Sequence, residues 1–141
     1  MRIRIFYEDT DCGGIVYHAN YIKFCERARS NLFFENNSLP ESSGGFVVSE
    51  INAKFLGTAR LGDELFVKTK VDSVGKIQVY LTQEIFKINS LDSSFEAKNA
   101  ESNLIFKAFV RLGFVDYQTK KPTAIPQDLK NLLISFDSAK I

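Results

Sequence analysis

Ile3 and Ile5 alternate with Arg2 and Arg4, the two-residue period of a half-buried strand, and predict a strand over residues 2–8. Residues 9–14, Asp-Thr-Asp-Cys-Gly-Gly, have the composition of a turn. The period then lengthens. Tyr21, Phe24, Cys25, Ala28 and Leu32 recur every three or four residues and predict a helix from about residue 18 to 36. Lys23, Glu26, Arg27, Arg29 and Ser30 fall largely off that stripe. Such a helix has about five turns and a length of about 27 Å. Asn36-Asn37-Ser38 and Pro40 end it, and residues 38–45 read as a Ser/Gly/Pro loop.

From residue 46 the period returns to two. Segments 46–56, 64–71, 77–88 and 103–115 are rich in Val, Ile, Phe, Tyr and Thr and predict four strands in antiparallel succession. Leu61-Gly62-Asp63 and Ser73-Val74-Gly75-Lys76 are read as the turns between the first three. The polar segment 89–102 is expected to be an extended hairpin loop. Pro122 and Pro126 precede a short helix over about 127–136, with Leu129, Leu132, Leu133 and Phe136 on its apolar side. The order of strand, long helix, four strands and small helix is an α+β pattern, in which the sheet curls around the helix so that each covers the other's apolar face.

Length and composition narrow the class. The 141 residues fit a single domain, expected over 1–141, with no internal repeat or linker. Lys and Arg number 18 against 17 Asp and Glu, so the basic excess of a nucleic-acid binder is missing. Thirteen Phe and five Tyr argue against disorder. No apolar run approaches the roughly 20 residues of a membrane span, and the N-terminal residues do not resemble a secretory signal. Two cysteines, Cys12 and Cys25, are too few for a disulfide framework, which makes reduced thiols and a cytoplasmic location the simplest expectation.

Several chemistries lack their motifs. There is no nucleophile elbow Gly-x-Ser-x-Gly and no dinucleotide fingerprint Gly-x-Gly-x-x-Gly. Gly75-Lys76 lacks the upstream Gly and the following Ser or Thr of a phosphate loop. One histidine and no Cys-x-x-Cys leave no ordinary zinc ligand set. Asp9-x-Asp11-x-x-Gly14 fails as a calcium loop, because Gly13 and Asn20 stand where acidic ligands belong. No metal or redox cofactor is expected.

The chemistry-bearing cluster is the run from Tyr7 to Tyr21, which joins a strand end to the start of the long helix. Much of it is also good turn chemistry: Asp and Thr make local backbone bonds, and Gly takes unusual dihedrals. The functional alternative starts from the helix N-terminus, where unpaired amides and the dipole favour negative charge. A carbonyl oxygen becoming an oxyanion is such a charge. The Asp11 carboxylate beside it could attack an acyl group or orient a water. Carboxylates are weak nucleophiles, so a thioester, with its good leaving group, suits the arrangement better than an amide.

The run Phe6-Tyr7-Glu8-Asp9-Thr10-Asp11-Cys12-Gly13-Gly14-Ile15-Val16-Tyr17-His18-Ala19-Asn20-Tyr21, followed by Glu26-Arg27-Ala28-Arg29, resembles the signature of the hot-dog-fold 4-hydroxybenzoyl-CoA thioesterase family, and within it the YbgC group. The likeness continues through Ala59-Arg60-Leu61-Gly62-Asp63 and Pro122-Thr123-Ala124-Ile125-Pro126. Segment 89–102 looks longer than the family's connection there. The resemblance implies a curled five-stranded antiparallel sheet around one long helix, and subunits joined sheet edge to sheet edge with the active site at their interface. It implies an acyl-CoA substrate, which makes coenzyme A part of the substrate, not a cofactor.

It also implies roles. Asp11 matches the catalytic carboxylate, as nucleophile or general base, and the amide of His18 matches the position that polarises the thioester carbonyl. The His18 imidazole and the Tyr7 hydroxyl are the expected helpers. Lys76 and Arg60, with Lys54 behind them, are candidates for the coenzyme A phosphates, against the plain alternative of solvated surface charges. Asp9 is read as a turn stabiliser and Cys25 as core. A Cys12–His18 nucleophile is disfavoured because no third group orients the histidine. A homodimer assembling into a tetramer or larger is expected. A second reading keeps the fold without turnover, as a scaffold that binds acyl thioesters or acyl carrier protein.

Overall fold

The computed structural model describes residues 1–38, 43–96 and 103–136. Strand β1 (Arg2–Arg4) leads through a 3-10 turn (Tyr7–Asp9) to helix α1 (His18–Glu35). Strands β2 (Gly44–Phe55), β3 (Glu64–Val74), β4 (Gln78–Asn89) and β5 (Leu104–Asp116) follow, and helix α2 (Gln127–Ser135) comes last. The architecture is α+β: one five-stranded antiparallel sheet, in the order β1-β3-β4-β5-β2, curls around α1.

The two periods read from the sequence are the two that pack. Leu65, Val67 and Thr69 on β3, Val79, Leu81, Gln83 and Ile85 on β4, and Phe106, Ala108, Val110, Leu112 and Phe114 on β5 alternate onto the concave face. Tyr21, Phe24, Cys25, Ala28, Arg29 and Phe33 of α1 meet them. Tyr21 stacks on Phe106 with ring centroids 5.4 Å apart, and Phe33 lies 5.9 Å from Phe46. The helix therefore runs along the strands, its N-terminus over the β2 end and β5 start. Leu129 and Leu133 of α2 close the same core at the other end, where Phe136 meets Phe33. Among the described residues, no helix is long and apolar enough to cross a membrane.

Three details differ from the sequence reading. The first strand stops at Arg4, because Asp9 folds back: the Phe6 amide donates to Asp9 Oδ2 at 2.9 Å and the Asp9 amide to Phe6 O at 3.0 Å. Residues 61–63 do not turn β2 into β3. Strand β2 pairs with β5 at the far edge, and residues 56–63 are a crossover. The inner stripe of α1 ends on Phe33, with Leu32 only half-buried, and it takes in Arg29, which its charge had placed off the stripe. The expected hairpin loop 89–102 is described only to residue 96, where Asp92 caps a turn through the amide and hydroxyl of Ser94; the rest, like 39–42 of the 38–45 loop, lies outside the described residues.

Candidate active site

The crossover meets the Tyr7–Tyr21 segment and shapes it. The Val16 amide donates to Ala59 O at 2.9 Å, and Ile15 bridges Arg60. The Ala59 amide donates to the Tyr21 hydroxyl at 3.2 Å. Burial pushes that phenol above its ordinary pKa, so it stays neutral and free to accept, although the Ala59 bond pulls the other way. Buried Asp63 anchors the crossover from below. Its carboxylate accepts from the Arg60 amide at 2.8 Å and the Ser90 hydroxyl at 2.6 Å, and it pairs with Lys87 at 3.3 Å.

Between these supports the chain makes a tight hairpin. Thr10 bridges Val16, the Asp11 amide donates to Ile15 O at 2.9 Å, and the Gly14 amide donates to Asp11 O at 3.1 Å. Gly14 has φ +81°, a left-handed conformation that a side chain would strain. The Asp9 carbonyl ties the hairpin to α1, accepting from the Tyr17 amide at 3.0 Å and the Asn20 side chain at 2.8 Å. Asp9 is thus a turn residue twice over, through its carboxylate to Phe6 and through its carbonyl to the helix.

The half-buried Asp11 carboxylate sits at the hairpin tip. Oδ1 accepts from the Gly13 amide at 2.8 Å, and Oδ2 has no partner among the described residues. One oxygen is held by the backbone while the other is open, which orients a carboxylate without neutralising it. A few residues on, α1 begins after Tyr17, whose side chain makes no cap bond. The amides of His18 and Ala19 have no acceptor among the described residues and form the electropositive end of the helix.

The other candidates are placed unequally. The exposed His18 ring lies 4.6 Å from Tyr17 and 6.0 Å, edge-on, from Phe55. Tyr7 belongs to the 3-10 turn and is 81% exposed; its carbonyl accepts from Thr10, but its hydroxyl makes no bond among the described residues. Arg60 lies beside Ile15 on the hairpin's flank with an exposed side chain. Lys54, at the end of β2, is on the same end of the sheet. Lys76 is not. It sits in the β3–β4 turn, a strand length of roughly 35 Å from the hairpin end of β3, with its carbonyl bonded to Ile125. Cys12 is exposed with no partner, and Cys25 is buried. Asn20, Tyr21 and Asp63 hold the hairpin, the helix start and the crossover together. Sequence reasoning had assigned them no such role; their signal was only that each lies inside a motif quoted for the resemblance. Among the described residues, no group of three or more His, Cys, Asp or Glu could hold a metal ion.

The thioesterase-like superfamily matches the chain over residues 7–133, a span that takes in the hairpin, the crossover and both helices. The chain belongs to that superfamily. Among its members, the acyl-CoA thioesterase YbgC of Helicobacter pylori is 45% identical over 134 residues, covering 94% of this chain and 98% of the relative. The acyl-CoA thioester hydrolase YbgC of Escherichia coli is 34% identical over 131 residues, covering 90% of this chain and 89% of the relative. The fold is shared with Slr0204, a 1,4-dihydroxy-2-naphthoyl-CoA thioesterase from Synechocystis, at a TM-score of 0.81 and 17% identity over 97% of this chain and 96% of that one.

Proposed function

We infer that this chain hydrolyses acyl-CoA thioesters, giving a carboxylic acid and free coenzyme A. The observation that carries the reading is the near end-to-end identity with acyl-CoA thioesterases of the YbgC group. The open Oδ2 of Asp11, close in sequence and bonded structure to the α1 amides, supports a mechanism. The thioester carbonyl oxygen lies toward the His18 amide, and charge developing on it is met by that N–H and the helix end. Asp11 then acts in one of two ways. As a base it takes a proton from water while the water oxygen bonds to the carbonyl carbon; the tetrahedral intermediate collapses by breaking the C–S bond, and the thiolate takes up a proton. As a nucleophile its oxygen bonds to the carbonyl carbon and expels the thiolate, and water hydrolyses the resulting mixed anhydride. His18 assists from the helix start, and Tyr7 and Arg60 border the entrance.

The assembly we propose is a dimer through β2. Among the described residues that strand pairs only with β5, so its outer edge is open, and Val47, Val48, Phe55 and Leu56 along it are exposed. Lys76 meets coenzyme A phosphates in this scheme only from a neighbouring subunit. A cytoplasmic location fits the two free thiols.

The test is thiol release from short, long and aromatic acyl-CoAs by wild type, Asp11→Asn and His18→Ala. Asp11→Asn should lower kcat/KM by about 10³-fold or more at unchanged circular dichroism. His18→Ala should lower it by about 10-fold. Near-wild-type turnover by Asp11→Asn rejects the mechanism, and no turnover by wild type on any acyl-CoA rejects the activity.

A further inference from the structure

Arg29 is 9% exposed, deep on the inner side of α1, and no carboxylate among the described residues forms an ion pair with it. Among the described residues its only hydrogen bond is from Nη1 to Gln83 Oε1, at 2.9 Å. Gln83 cannot turn away, because its amide nitrogen donates to Cys25 O and Thr69 Oγ1, both at 2.9 Å. The guanidinium is therefore fixed in orientation and left with unused donors. Among the described residues, no buried side-chain nitrogen or oxygen lacks a partner. The free N–H groups of Arg29 therefore reach open space, and that space is a groove.

The groove runs between the second half of α1 and the start of β2 and has a volume of about 430 Å³. Phe33, Phe46, Val48 and Leu112 make its walls apolar, and Phe34, 56% exposed, stands at its mouth. Tyr117 adds a second donor: its hydroxyl makes no hydrogen bond among the described residues, and it lies directly over Gly45, where any side chain would collide with it. Glu26 is on the rim, its carboxylate already accepting from Ser30 at 2.6 Å, and makes no ion pair with Arg29. Glu26 acts on the guanidinium only from the rim, and a buried cation with no carboxylate in contact is costly unless something supplies that contact. A planar guanidinium fork beside apolar walls matches a carboxylate on a hydrocarbon chain. With Arg29 as the cation and Glu26 on the rim, a carboxylate's single charge meets less repulsion than a phosphate dianion's.

We propose that this groove binds a carboxylate-headed amphiphile, a free aliphatic carboxylic acid, with Arg29 and Tyr117 holding the headgroup and Phe33, Phe46 and Leu112 the chain. Arg29 lies about 16 Å along α1 from His18, so the site is separate from the hairpin. A carboxylic acid is also what the proposed hydrolysis releases, but decanoate binding and thiol release are read separately, so either reading can fail without the other.

Calorimetric titration of the folded protein with decanoate tests it, alongside decan-1-ol and decyl phosphate as probes of the same chain length. Decanoate should bind one site per chain, with the alcohol and the phosphate each at least 10-fold weaker. Phe34→Glu, which puts a like charge at the mouth, and Arg29→Met should each weaken decanoate at least 10-fold, and Tyr117→Phe severalfold. If Arg29→Met does not fold, Phe34→Glu and Tyr117→Phe decide. Equal binding of decanoate and decanol, stronger binding of decyl phosphate, no decanoate binding at all, or Phe34→Glu binding like wild type would each overturn the proposal.

Discussion

The two cysteines show how a few residues of chain separate two identical side chains. Cys12 is exposed at the hairpin tip beside Asp11, whereas Cys25 faces the sheet from α1. Burial pushes the Cys25 thiol up to about 12, with nearby Arg29 only partly opposing it. A thiol reagent should therefore titrate one sulfur per folded chain at pH 8 and two in denaturant; two fast-reacting sulfurs in the native protein would contradict the packing. The same shift sets a pH dependence. Below about 8.5 the thiol is neutral in both states and has no effect. Between that value and about 12 the unfolded chain releases the proton and the folded chain keeps it, so stability falls as pH rises. Cys25→Ala should remove this part of the decline in denaturation midpoints between pH 8 and 10. At this scale the sequence was readable for Cys25 as core and Asp9 as a turn residue, whose neighbours within the chain define them. It was not readable for Arg29, because a charge is assigned to the surface by default and only Gln83, from a distant strand, turns it inward.

Helix α1 is the element that positions the site, since its first amides are the electropositive end and its inner stripe fixes where that end lies. Phe24 is fully buried and meets Tyr21 edge-on at 6.3 Å, one turn from the Tyr21–Ala59 bond that braces the crossover. Phe24→Ala should lower unfolding free energy by about 3–5 kcal/mol in urea titrations, the usual result of a cavity under a large ring. A loss below about 1 kcal/mol would show that α1 is not seated as described. The helix and the four long strands were legible because periods of 3.6 and 2 are strong and uninterrupted. The short first strand was over-extended, because Phe6-Tyr7 looks like strand until the Asp9 side chain takes the Phe6 amide.

At the level of the molecule, the position of β2 at the sheet edge underlies the proposed assembly. Its neighbours could not be read locally: hairpin logic pairs it with β3, and only the register with β5 shows the crossover. The Leu56 amide donates to Ile105 O, and bonding residues alternate along an antiparallel pair. The amides of Ile51 and Ala53 therefore point away from β5, toward the free edge. Ala53→Pro removes one of those outward donors and no internal ladder bond. In sedimentation experiments it should convert the proposed dimer to monomer, with acyl-CoA hydrolysis falling in step. A wild type that sediments as a monomer, or an Ala53→Pro protein that stays dimeric, would refute association through this edge.

The crossover also has a consequence for the birth of the protein. Gly44–Phe55 leaves the ribosome well before Leu104–Asp116, its ladder partner. At 5–20 residues per second the interval is roughly 3 to 10 s. During it Phe46, Val47, Val48 and Ile51 emerge as an extended apolar stretch with nothing to pair with. That exposure ends only when β2 closes onto β5, a pairing of high sequence separation and so a late step in folding.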